Sequence, residues 1–379
     1  MAFGVYVHIP FCVRRCHYCD FVSFEGMGAG DKDGYVRALL SEVDLYMESM
    51  DLPAADSLYL GGGTPTCLTG AQLAALLEGL RRKLRWSPDP EWTVEANPGA
   101  VDAELLRRLR DLGVNRLSLG VQSFDPAMLR LLGRIHSARQ VYEAAAQARR
   151  AGIERLSVDL MYGLPGQSLA HWETTLERAL EMTAAPGHIS LYELNLEPGT
   201  RMKRWYDRGL LPRTDPDMGY EQYALAIDRL AQAGYGHYEI SNFAKPGYES
   251  RHNLLYWRRR PYLGAGAGAS GYLNGIRYAN TDDFSLYLRQ VRAGEKPRAS
   301  EERVTGKLAM AEMMFLGLRL RSGVSRKDFC GEFGQTPEAV YGEEIADLRG
   351  AGLLRENAEG YALTRKGLFV ASDVMTRFV

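Results

Sequence analysis

The sequence predicts an α/β protein: an incomplete (β/α)6-type parallel barrel followed by a helical, winged-helix-like C-terminal domain. Two observations support this prediction. In the first half, short apolar runs alternate with amphipathic helical stretches in units of roughly 30–40 residues, which is typical of parallel βαβ crossovers. The alternation stops near Gly236, and a second helical pattern begins near Arg303.

The predicted strands are short, nearly continuous apolar runs, as expected for parallel strands that are buried on both faces. Six runs meet this description, at 3–8, 57–60, 92–95, 116–120, 156–160 and 189–194. Apolar stripes at helical spacing lie between them, at 35–47, 73–80, 105–109 and 141–148. Each stripe predicts a helix that packs on the sheet.

Three regions follow from this pattern. We expect the partial barrel to occupy 1–235 and a connecting region, rich in Gly and Ala at 263–269, to occupy 236–300. The remainder, 301–379, predicts helices near 326–333 and 337–351, a two-stranded wing at 352–364 and a last helix from Arg365. Winged domains often bind DNA, but this wing is not strongly basic, which favours a packing or docking role.

Composition narrows the functional classes. The 379 residues include 46 Lys and Arg and 47 Asp and Glu, for a net charge of −1. This balance argues against a dedicated nucleic-acid binder. No apolar run approaches the ~20 residues that span a bilayer. Nothing after Met1 resembles a signal peptide, so the sequence predicts a cytoplasmic protein with reduced thiols.

A cysteine triplet follows the first predicted strand. Cys12, Cys16 and Cys19 are separated by four and three positions. A loop with this spacing can place three thiolates around one face of a four-iron cluster and leave one iron without a protein ligand. An iron with an open position can bind a reactant, so the triplet predicts chemistry at this loop.

Other interpretations of the triplet remain. Zinc would need a fourth ligand, which His17 or His8 could supply. A disulfide framework is disfavoured, because the chain has five cysteines and no export signal. Cys67 and Cys330 stand alone in the sequence, and we interpret both as packing thiols.

Polar or glycine-rich residues end each predicted strand, where ligands bind in parallel α/β folds. One strand is followed by Gly61-Gly62-Gly63-Thr64-Pro65, and others end at Glu95, Gln122 and Asp159. Any one of these has a plain structural explanation, such as a turn, a cap or a satisfied buried carboxylate. Together they suit S-adenosylmethionine: glycines allow close backbone approach, carboxylates accept from ribose or ammonium groups, and Arg134 can pair with a carboxylate.

These motifs resemble the radical S-adenosylmethionine superfamily, with Cys-x3-Cys-x2-Cys after one strand and Gly-Gly-Gly-Thr-Pro after the next. Over nearly the whole chain the sequence is similar to the oxygen-independent coproporphyrinogen III oxidase family. The segments that carry this likeness are Tyr6-Val7-His8-Ile9-Pro10-Phe11-Cys12, Leu60-Gly61-Gly62-Gly63-Thr64-Pro65-Thr66, Leu119-Gly120-Val121-Gln122-Ser123 and Asp159-Leu160-Met161-Tyr162-Gly163-Leu164-Pro165-Gly166-Gln167.

The resemblance implies that Cys12, Cys16 and Cys19 hold a [4Fe–4S] cluster. It also implies an S-adenosylmethionine site lined by Tyr6, Tyr18, Gly62, Gly63, Thr64, Glu95, Gln122, Arg134 and Asp159. In such enzymes the reduced cluster donates an electron to the sulfonium, and the C–S bond breaks to give methionine and a 5′-deoxyadenosyl radical. Whether this chain cleaves S-adenosylmethionine or only binds it is left open.

Two subgroups share these motifs. The oxidases resemble Cys-x3-Cys-x2-Cys-x-Cys and carry an N-terminal extension, whereas this chain has Phe21 in place of the fourth cysteine and begins its first strand almost at once. Both differences indicate the HemW-type heme chaperones, which bind heme and pass it to acceptor proteins, including respiratory enzymes. The alternative functions are an anaerobic coproporphyrinogen III oxidase and a regulatory iron–sulfur protein. A cluster-dependent homodimer is a further implication.

A second motif resembles the heme-binding pattern His-Asn-x-x-Tyr-Trp of that subgroup. It comprises His252, Asn253, Tyr256 and Trp257. A neutral imidazole can bind heme iron, aromatic faces can pack on the porphyrin, and the neighbouring Arg251, Arg258, Arg259 and Arg260 could pair with propionates. The structural alternative is a polar loop with a core tryptophan.

One position departs from the family. Members often have Gly-Ala-His after the glycine run, whereas this chain has Gly268-Ala269-Ser270. Any role of that histidine is therefore in doubt here.

Overall fold

The computed structural model describes residues 2–182 and 185–379. Strands and helices alternate in its first half, and the six predicted strands are confirmed. The strands are β1 (Gly4–Ile9), β2 (Phe11–Cys12), β3 (Phe24–Glu25), β4 (Ala55–Gly62), β5 (Trp86–Ala96), β6 (Arg116–Gln122), β7 (Arg155–Tyr162) and β8 (His188–Glu193). The helices are α1 (Ala29–Ser49), α2 (Gly70–Lys83), α3 (Ala103–Asp111), α4 (Pro126–Leu132), α5 (Ala138–Arg150) and α6 (Leu169–Leu180).

Local sequence explains several of the helix starts. Thr69 and Ser137 each cap a helix by accepting a bond from the backbone N–H three residues on. In both cases a glutamine at that third position bonds back to the cap, which completes a capping box. Asp125 precedes Pro126, a favoured pair at a helix N-terminus.

The second half contains α7 (Arg201–Asp207), α8 (Pro216–Gln232), β9 (Gly236–Glu239), β10 (Asn242–Ala244), α9 (Arg251–Trp257), β11 (Tyr262–Ala265), β12 (Ser270–Leu273), β13 (Ile276–Asn280), α10 (Phe284–Arg292) and β14 (Arg298–Arg303). The remaining elements are α11 (Gly306–Arg319), β15 (Val324–Ser325), α12 (Arg326–Phe333), α13 (Pro337–Gly350), β16 (Leu354–Glu356), β17 (Gly360–Leu363), α14 (Arg365–Phe369) and α15 (Ala371–Thr376).

One sheet organises the molecule. Its twelve strands run in the order β14-β13-β12-β11-β1-β4-β5-β6-β7-β8-β10-β9. The seven strands from β11 to β8 are parallel, and the strands outside them are antiparallel. The sheet has two edges, β14 and β9, so it is open, as the predicted incomplete barrel requires.

The segment 236–300 was expected to be a connecting region. In the structure it also supplies β9 to β13 and part of β14 to the large sheet. The Gly/Ala-rich run begins with β11, which pairs in parallel with β1, Val5 opposite Leu263. The proposed boundaries near 235 and 300 therefore separate segments of one sheet.

The C-terminal region contains the predicted helices and wing. Strands β15, β17 and β16 form a small antiparallel sheet beside α11, α12 and α13. Its buried Met314 and Leu318 share an apolar core with Ile189 and Phe243 of the large sheet. Backbone bonds also join the two parts, from Ile240 N–H to Arg319 O at 3.1 Å.

No helix within the described part of the chain is long and apolar enough to cross a membrane.

A buried carboxylate fixes the glycine run. Glu42 of α1 has no solvent exposure, and it accepts bonds from Gly266 N–H at 2.8 Å, Asn280 Nδ2 at 2.6 Å and Tyr287 hydroxyl at 2.7 Å. Burial raises the pKa of Glu42 to about 7. Because three donors converge on it, this side chain ties α1 to the segment after β11, to β13 and to α10.

Replacing Glu42 by Ala leaves these three donors without their acceptor, and each buried unpaired donor costs about 1–3 kcal/mol. We expect Glu42→Ala to lower the free energy of unfolding of the cluster-free chain by roughly 3 kcal/mol or more, measured by urea titration. Glu48→Ala, at an exposed position on the same helix, is the control and should stay within about 0.5 kcal/mol. Equal urea midpoints for the two variants would contradict this role of Glu42.

Candidate functional site

The cysteine loop begins where β1 ends. Cys12 lies in the short strand β2, whose partner is β3, with Phe11 opposite Phe24. The bond from Phe24 N–H to Pro10 O, 2.8 Å, closes the loop at its base. The three cysteines are therefore carried by a loop with both ends fixed on hydrogen-bonded backbone.

Each thiol of the triplet has its own neighbours. Cys12 Sγ lies 3.8 Å from Thr64 Oγ1, and Arg134 Nη1 donates to Cys16 Sγ at 3.3 Å. Burial raises the pKa of Cys19 to about 11 and also raises that of Cys12. All three are free, partly buried thiols. The raised pKa values mean that Cys12 and Cys19 lose their protons at a cost in free energy. A soft metal ion would offset that cost, because thiolates are its preferred ligands.

The second half of the loop docks on the barrel wall. His17 N–H donates to Leu132 O at 2.9 Å, and Met202 N–H donates to His17 O at 2.8 Å. His17 Nδ1 bonds Leu131 O at 2.9 Å. Tyr18 packs beside Leu132 and other apolar residues. These contacts explain why the loop folds back over the barrel mouth.

Of the two histidines considered for a zinc site, His8 has both ring nitrogens engaged, whereas His17 Nε2 has no partner among the described residues. His8 Nδ1 lies 3.0 Å from Tyr6 hydroxyl, and His8 Nε2 lies 2.8 Å from Val22 O. Across residues 2–182 and 185–379, no three His, Cys, Asp or Glu side chains form a group that could hold a single metal ion. The donor set of three thiols, by contrast, fits a multi-iron cluster in which each thiol binds a different iron.

The glycine segment Gly61-Gly62-Gly63, at the end of β4, lies against the cysteine loop. Gly62 has φ of +105°, and a Cβ there would lie 2.5 Å from the His8 ring. A Cβ at Gly63 would lie within 3.0 Å of backbone atoms of Ile9 and Phe11. The absence of side chains lets β4 continue beside the loop, with Thr64 N–H donating to Phe11 O at 2.8 Å.

Glu95 at the end of β5 faces this glycine segment. It accepts bonds from Tyr59 hydroxyl at 2.7 Å and from Gly62 N–H at 3.2 Å. Burial, with a smaller contribution from the charge of Asp159, raises the pKa of Glu95 to about 7. A bound cation would favour the ionised carboxylate.

Gln122 and Arg134 share the space above Gly120. A Cβ at Gly120 would lie 3.0 Å from Arg134 Nη2 and 3.2 Å from Gln122 Nε2. Arg134 Nη2 donates to Gly120 O. Gln122 adopts φ of +65°, rare for a residue with a side chain. Its Oε1 and Arg134 Nε are buried without a partner within the described residues, so both can bond to a ligand.

Asp159 completes the row of polar groups. Strand pairing places Gly120 of β6 beside Asp159 of β7, and Asp159 beside Ser190 of β8. Ser118 hydroxyl lies 3.3 Å from the Asp159 carboxylate. Burial raises the pKa of Asp159. The residues that the sequence predicted for the site therefore lie together at the carboxyl ends of β4 to β7, facing the cysteine loop.

A cavity of about 350 Å³ lies between the cysteine loop, β1, α9 and the glycine run. Tyr6, Tyr256 and Tyr262 provide its aromatic surface. Phe21 and Ser270 also line the cavity. These are the two positions at which the sequence departs from the motifs described above, where Cys and His respectively were the residues to compare. The cavity joins the first motif of the chain to the second, through Tyr6 and Tyr256.

His252 lies in a different environment from the one the heme interpretation expects. It is fully buried, with Nδ1 2.8 Å from Ser57 Oγ and Nε2 2.8 Å from Tyr256 hydroxyl. Its ring stacks on Tyr59 at 5.2 Å between centroids. Both ring nitrogens are used, so in this conformation His252 offers no nitrogen to heme iron. It instead positions Tyr256, whose side chain reaches the cavity.

The rest of the second motif fixes α9 between the barrel and the C-terminal helices. Asn253 N–H donates to Ser250 Oγ at the helix start. The Arg319 guanidinium lies 4.2 Å from the centroid of Trp257. Trp257 is thus packed on the C-terminal region, while Tyr256 faces the cavity.

Two of the four neighbouring arginines are also engaged within the chain. Arg251 pairs with Asp89 at 3.0 Å, and Arg259 pairs with Glu332. Arg258 is exposed, and Arg260 is partly exposed. Arg258 and Arg260 are therefore the two of the four whose side chains are better placed to pair with an external anion.

Sequence reasoning missed several residues of the site. Tyr59 and Ser118 hold the two carboxylates, and their inward positions follow from strand alternation. Tyr262 was hidden because β11 was not predicted. Cys67 is closer to the triplet than its sequence position suggested, because its N–H donates to Thr64 O at 2.9 Å and Thr64 Oγ1 lies 3.8 Å from Cys12 Sγ. Its place directly after Gly-Gly-Gly-Thr-Pro-Thr was the available signal.

Comparisons with known proteins agree with this geometry. Residues 6–179 match the radical SAM superfamily and residues 304–370 match the HemN C-terminal domain. The structure of coproporphyrinogen III oxidase (HemN) from Escherichia coli aligns with a TM-score of 0.86 and 24% identity, over 100% of this chain and 90% of that one. This structural match shows a shared fold, and the motifs place the chain among radical SAM proteins.

Sequence relatives are more specific. Heme chaperone HemW of Lactococcus lactis subsp. lactis is 40% identical over 376 residues, covering 99% of this chain and 97% of the relative. Heme chaperone HemW of Escherichia coli is 41% identical over 389 residues, covering 99% and 98%. The chain belongs to the HemW heme chaperone family, as the motifs indicated.

The position of His252 generates a test. His252→Ala leaves Ser57 and Tyr256 without their buried partner, which costs roughly 2 kcal/mol or more. We expect a lower free energy of unfolding in the absence of heme, measured by urea titration. His171→Ala, at an exposed position, should change little. Unchanged stability of His252→Ala would show that the imidazole is not held as described.

Proposed function

We propose that this chain is a heme chaperone with a [4Fe–4S] cluster and S-adenosylmethionine bound at the mouth of the barrel. The observation that carries the proposal is the pairing of two sites: a three-thiol loop facing a row of polar strand ends, and a tyrosine-lined cavity between that loop and α9. Its curated relatives are named heme chaperones.

In this proposal Cys12, Cys16 and Cys19 hold the cluster. Arg134 donates to Cys16, and such bonds to thiolate sulfur stabilise its negative charge. When bound, the cluster supplies an electron and an open iron position. The chain contributes a loop whose two ends are fixed by backbone hydrogen bonds.

In this proposal, S-adenosylmethionine binds to buried polar atoms that have no hydrogen-bond partner among the described residues. Gln122 Oε1 and Arg134 Nε can bond to polar groups of the ligand, and Gly62 and Gly63 let it approach the backbone. Glu95 and Asp159 balance the positive sulfonium and ammonium groups. Tyr6, Tyr18 and Thr64 complete the lining between the cysteine loop and β4.

Heme would occupy the cavity between the loop and α9. Tyr6, Tyr256 and Tyr262 offer flat faces to a porphyrin. Within the second motif, Tyr256 makes the contact, His252 positions it, and Asn253 and Trp257 fix α9. The route of release, to acceptors that include respiratory enzymes, and a homodimer are further parts of the proposal.

Removal of a cluster ligand tests the first site. We expect Cys16→Ser to lose the brown cluster absorbance after anaerobic reconstitution, because two thiols and a hydroxyl hold the cluster poorly. Cys330→Ser, in the C-terminal region, should retain the absorbance and the iron content. Full iron and full absorbance in Cys16→Ser would remove Cys16 from the ligand set.

The raised pKa of Glu95 predicts a pH dependence. Below about pH 7 the carboxyl is protonated, and above it the carboxylate attracts the cationic ligand. Calorimetric affinity of reconstituted protein for S-adenosylmethionine should therefore rise between pH 6 and pH 8, by up to about tenfold. Glu95→Gln should flatten the rise, and Glu104→Gln should keep it. An equal pH profile in Glu95→Gln would remove Glu95 from the site.

Heme binding tests the cavity. Tyr256→Ala removes an aromatic face of the cavity, and we expect the dissociation constant for heme to rise about tenfold, as a lost contact of about 1.4 kcal/mol requires. Absorbance titration measures this constant. Tyr220→Ala removes a tyrosine 54% exposed elsewhere on the molecule and is the control. Equal affinities in the two variants would place heme outside this cavity.

A further inference from the structure

The connection between α4 and α5 directs two side chains toward the barrel. It spans residues 133–137. Ile135, at its centre, is 49% exposed, whereas His136 is buried. Arg134 also points inward, because its guanidinium donates to Gly120 O near the end of β6. Alternate residues of one short connection therefore contact β6 where that strand ends.

The two side chains bond successive carbonyl groups of β6. Arg134 donates to Gly120 O, and His136 Nε2 lies 3.1 Å from Val121 O. The pairing of β6 with β7 shifts register between Gly120 and Gln122, so Val121 has no partner residue in β7. Such an irregularity disrupts the ladder locally and re-aims a side chain. Here the Val121 carbonyl bonds outside the ladder, and the side chain that follows it is that of Gln122.

The direction of the imidazole bond follows from the charge of the ring. Burial lowers the pKa of His136 to about 4, with a smaller contribution from the charge of Arg134. The ring is therefore neutral near pH 7 and carries one N–H group. A carbonyl oxygen can only accept, so that hydrogen lies on Nε2 and is donated to Val121 O. Because Nδ1 has no partner among the described residues, this bond is the one hydrogen bond that the ring makes there.

Gln122 adopts a backbone conformation that needs support. Its φ of +65° is rare for a residue with a side chain. Such a conformation costs free energy and persists where neighbouring contacts hold it. Val121 O accepts from Ser123 N–H at 2.8 Å, so a bond spans the turn at Gln122 from one side to the other. The His136 ring holds the same oxygen from outside β6.

We propose that His136 is a positioning residue for the S-adenosylmethionine site. Its ring holds the Val121 carbonyl, which stabilises the left-handed turn at Gln122. The turn keeps the Gln122 amide above Gly120, beside the Arg134 guanidinium. This consequence for ligand binding rests on the proposed function, whereas the role of His136 in the turn holds without any ligand. His136 acts through Gln122 and needs no contact with the ligand.

Calorimetry of reconstituted protein tests the consequence for binding. His136→Leu removes the N–H donor, and we expect the dissociation constant for S-adenosylmethionine to rise about tenfold. His136→Gln places an amide N–H within similar reach and should restore most of the affinity. In a Gln122→Ala background, His136→Leu should add little, because the two residues act through one turn. An additive loss in the double variant, or full affinity in His136→Leu, would overturn the proposal.

Hydrogen exchange in the full, cluster-free chain without ligand tests the turn itself. The Ser123 amide exchanges when its bond to Val121 O opens. We expect this amide to exchange several-fold faster in His136→Leu and at the original rate in His136→Gln, while peptides from β4 stay unchanged. Unchanged exchange at Ser123, or an equal rise in β4, would overturn the proposal.

The control in both experiments is His171→Leu, at an exposed position, which should match the unaltered chain. A failure of every chain to bind S-adenosylmethionine would count against the proposed cofactor site. The exchange rates would then decide whether His136 holds the turn, because that measurement needs no ligand.

Discussion

Backbone hydrogen bonds between the first strand, the cysteine loop and the glycine segment hold the site together. Gly63 N–H donates to Ile9 O at 2.9 Å and Thr64 N–H donates to Phe11 O at 2.8 Å. These bonds need a backbone approach that a side chain at Gly63 would block. They place the cysteine loop over the carboxyl ends of the parallel strands, so the position of the thiols and of the polar row follows from them.

The barrel mouth holds polar groups at an energetic cost. Burial raises the pKa of Glu95 and Asp159. Gln122 has a left-handed backbone and a buried oxygen that finds no partner in the part of the chain that the structure describes. Strained or unsatisfied groups of this kind collect at functional sites. A cationic ligand would offset the free-energy cost of burying the ionised carboxylates of Glu95 and Asp159. A hydrogen-bond donor on the ligand would offset the cost of leaving the Gln122 amide oxygen unpaired. The site therefore suits a ligand that carries both a positive charge and hydrogen-bonding groups.

The sequence predicted the barrel strands and the polar row because both follow from local patterns, apolar runs and the residues that end them. It did not predict β11, because Gly and Ala at 263–269 resemble a loop. That strand is held between β1 and β12, which are distant from each other in the sequence. It also gave no information on the burial of His252. That burial depends on a contact with Ser57, which is 195 positions away in the sequence.

The most direct test of heme carriage against oxidase chemistry is anaerobic turnover. Reconstituted protein, reductant, S-adenosylmethionine and coproporphyrinogen III are mixed beside a working oxidase, and the porphyrin products are read by mass. We expect no decarboxylation by the cluster-loaded chain, while the control oxidase removes two carboxyl groups from each porphyrin. The same loss catalysed by this chain would contradict a chaperone function and make it an oxidase.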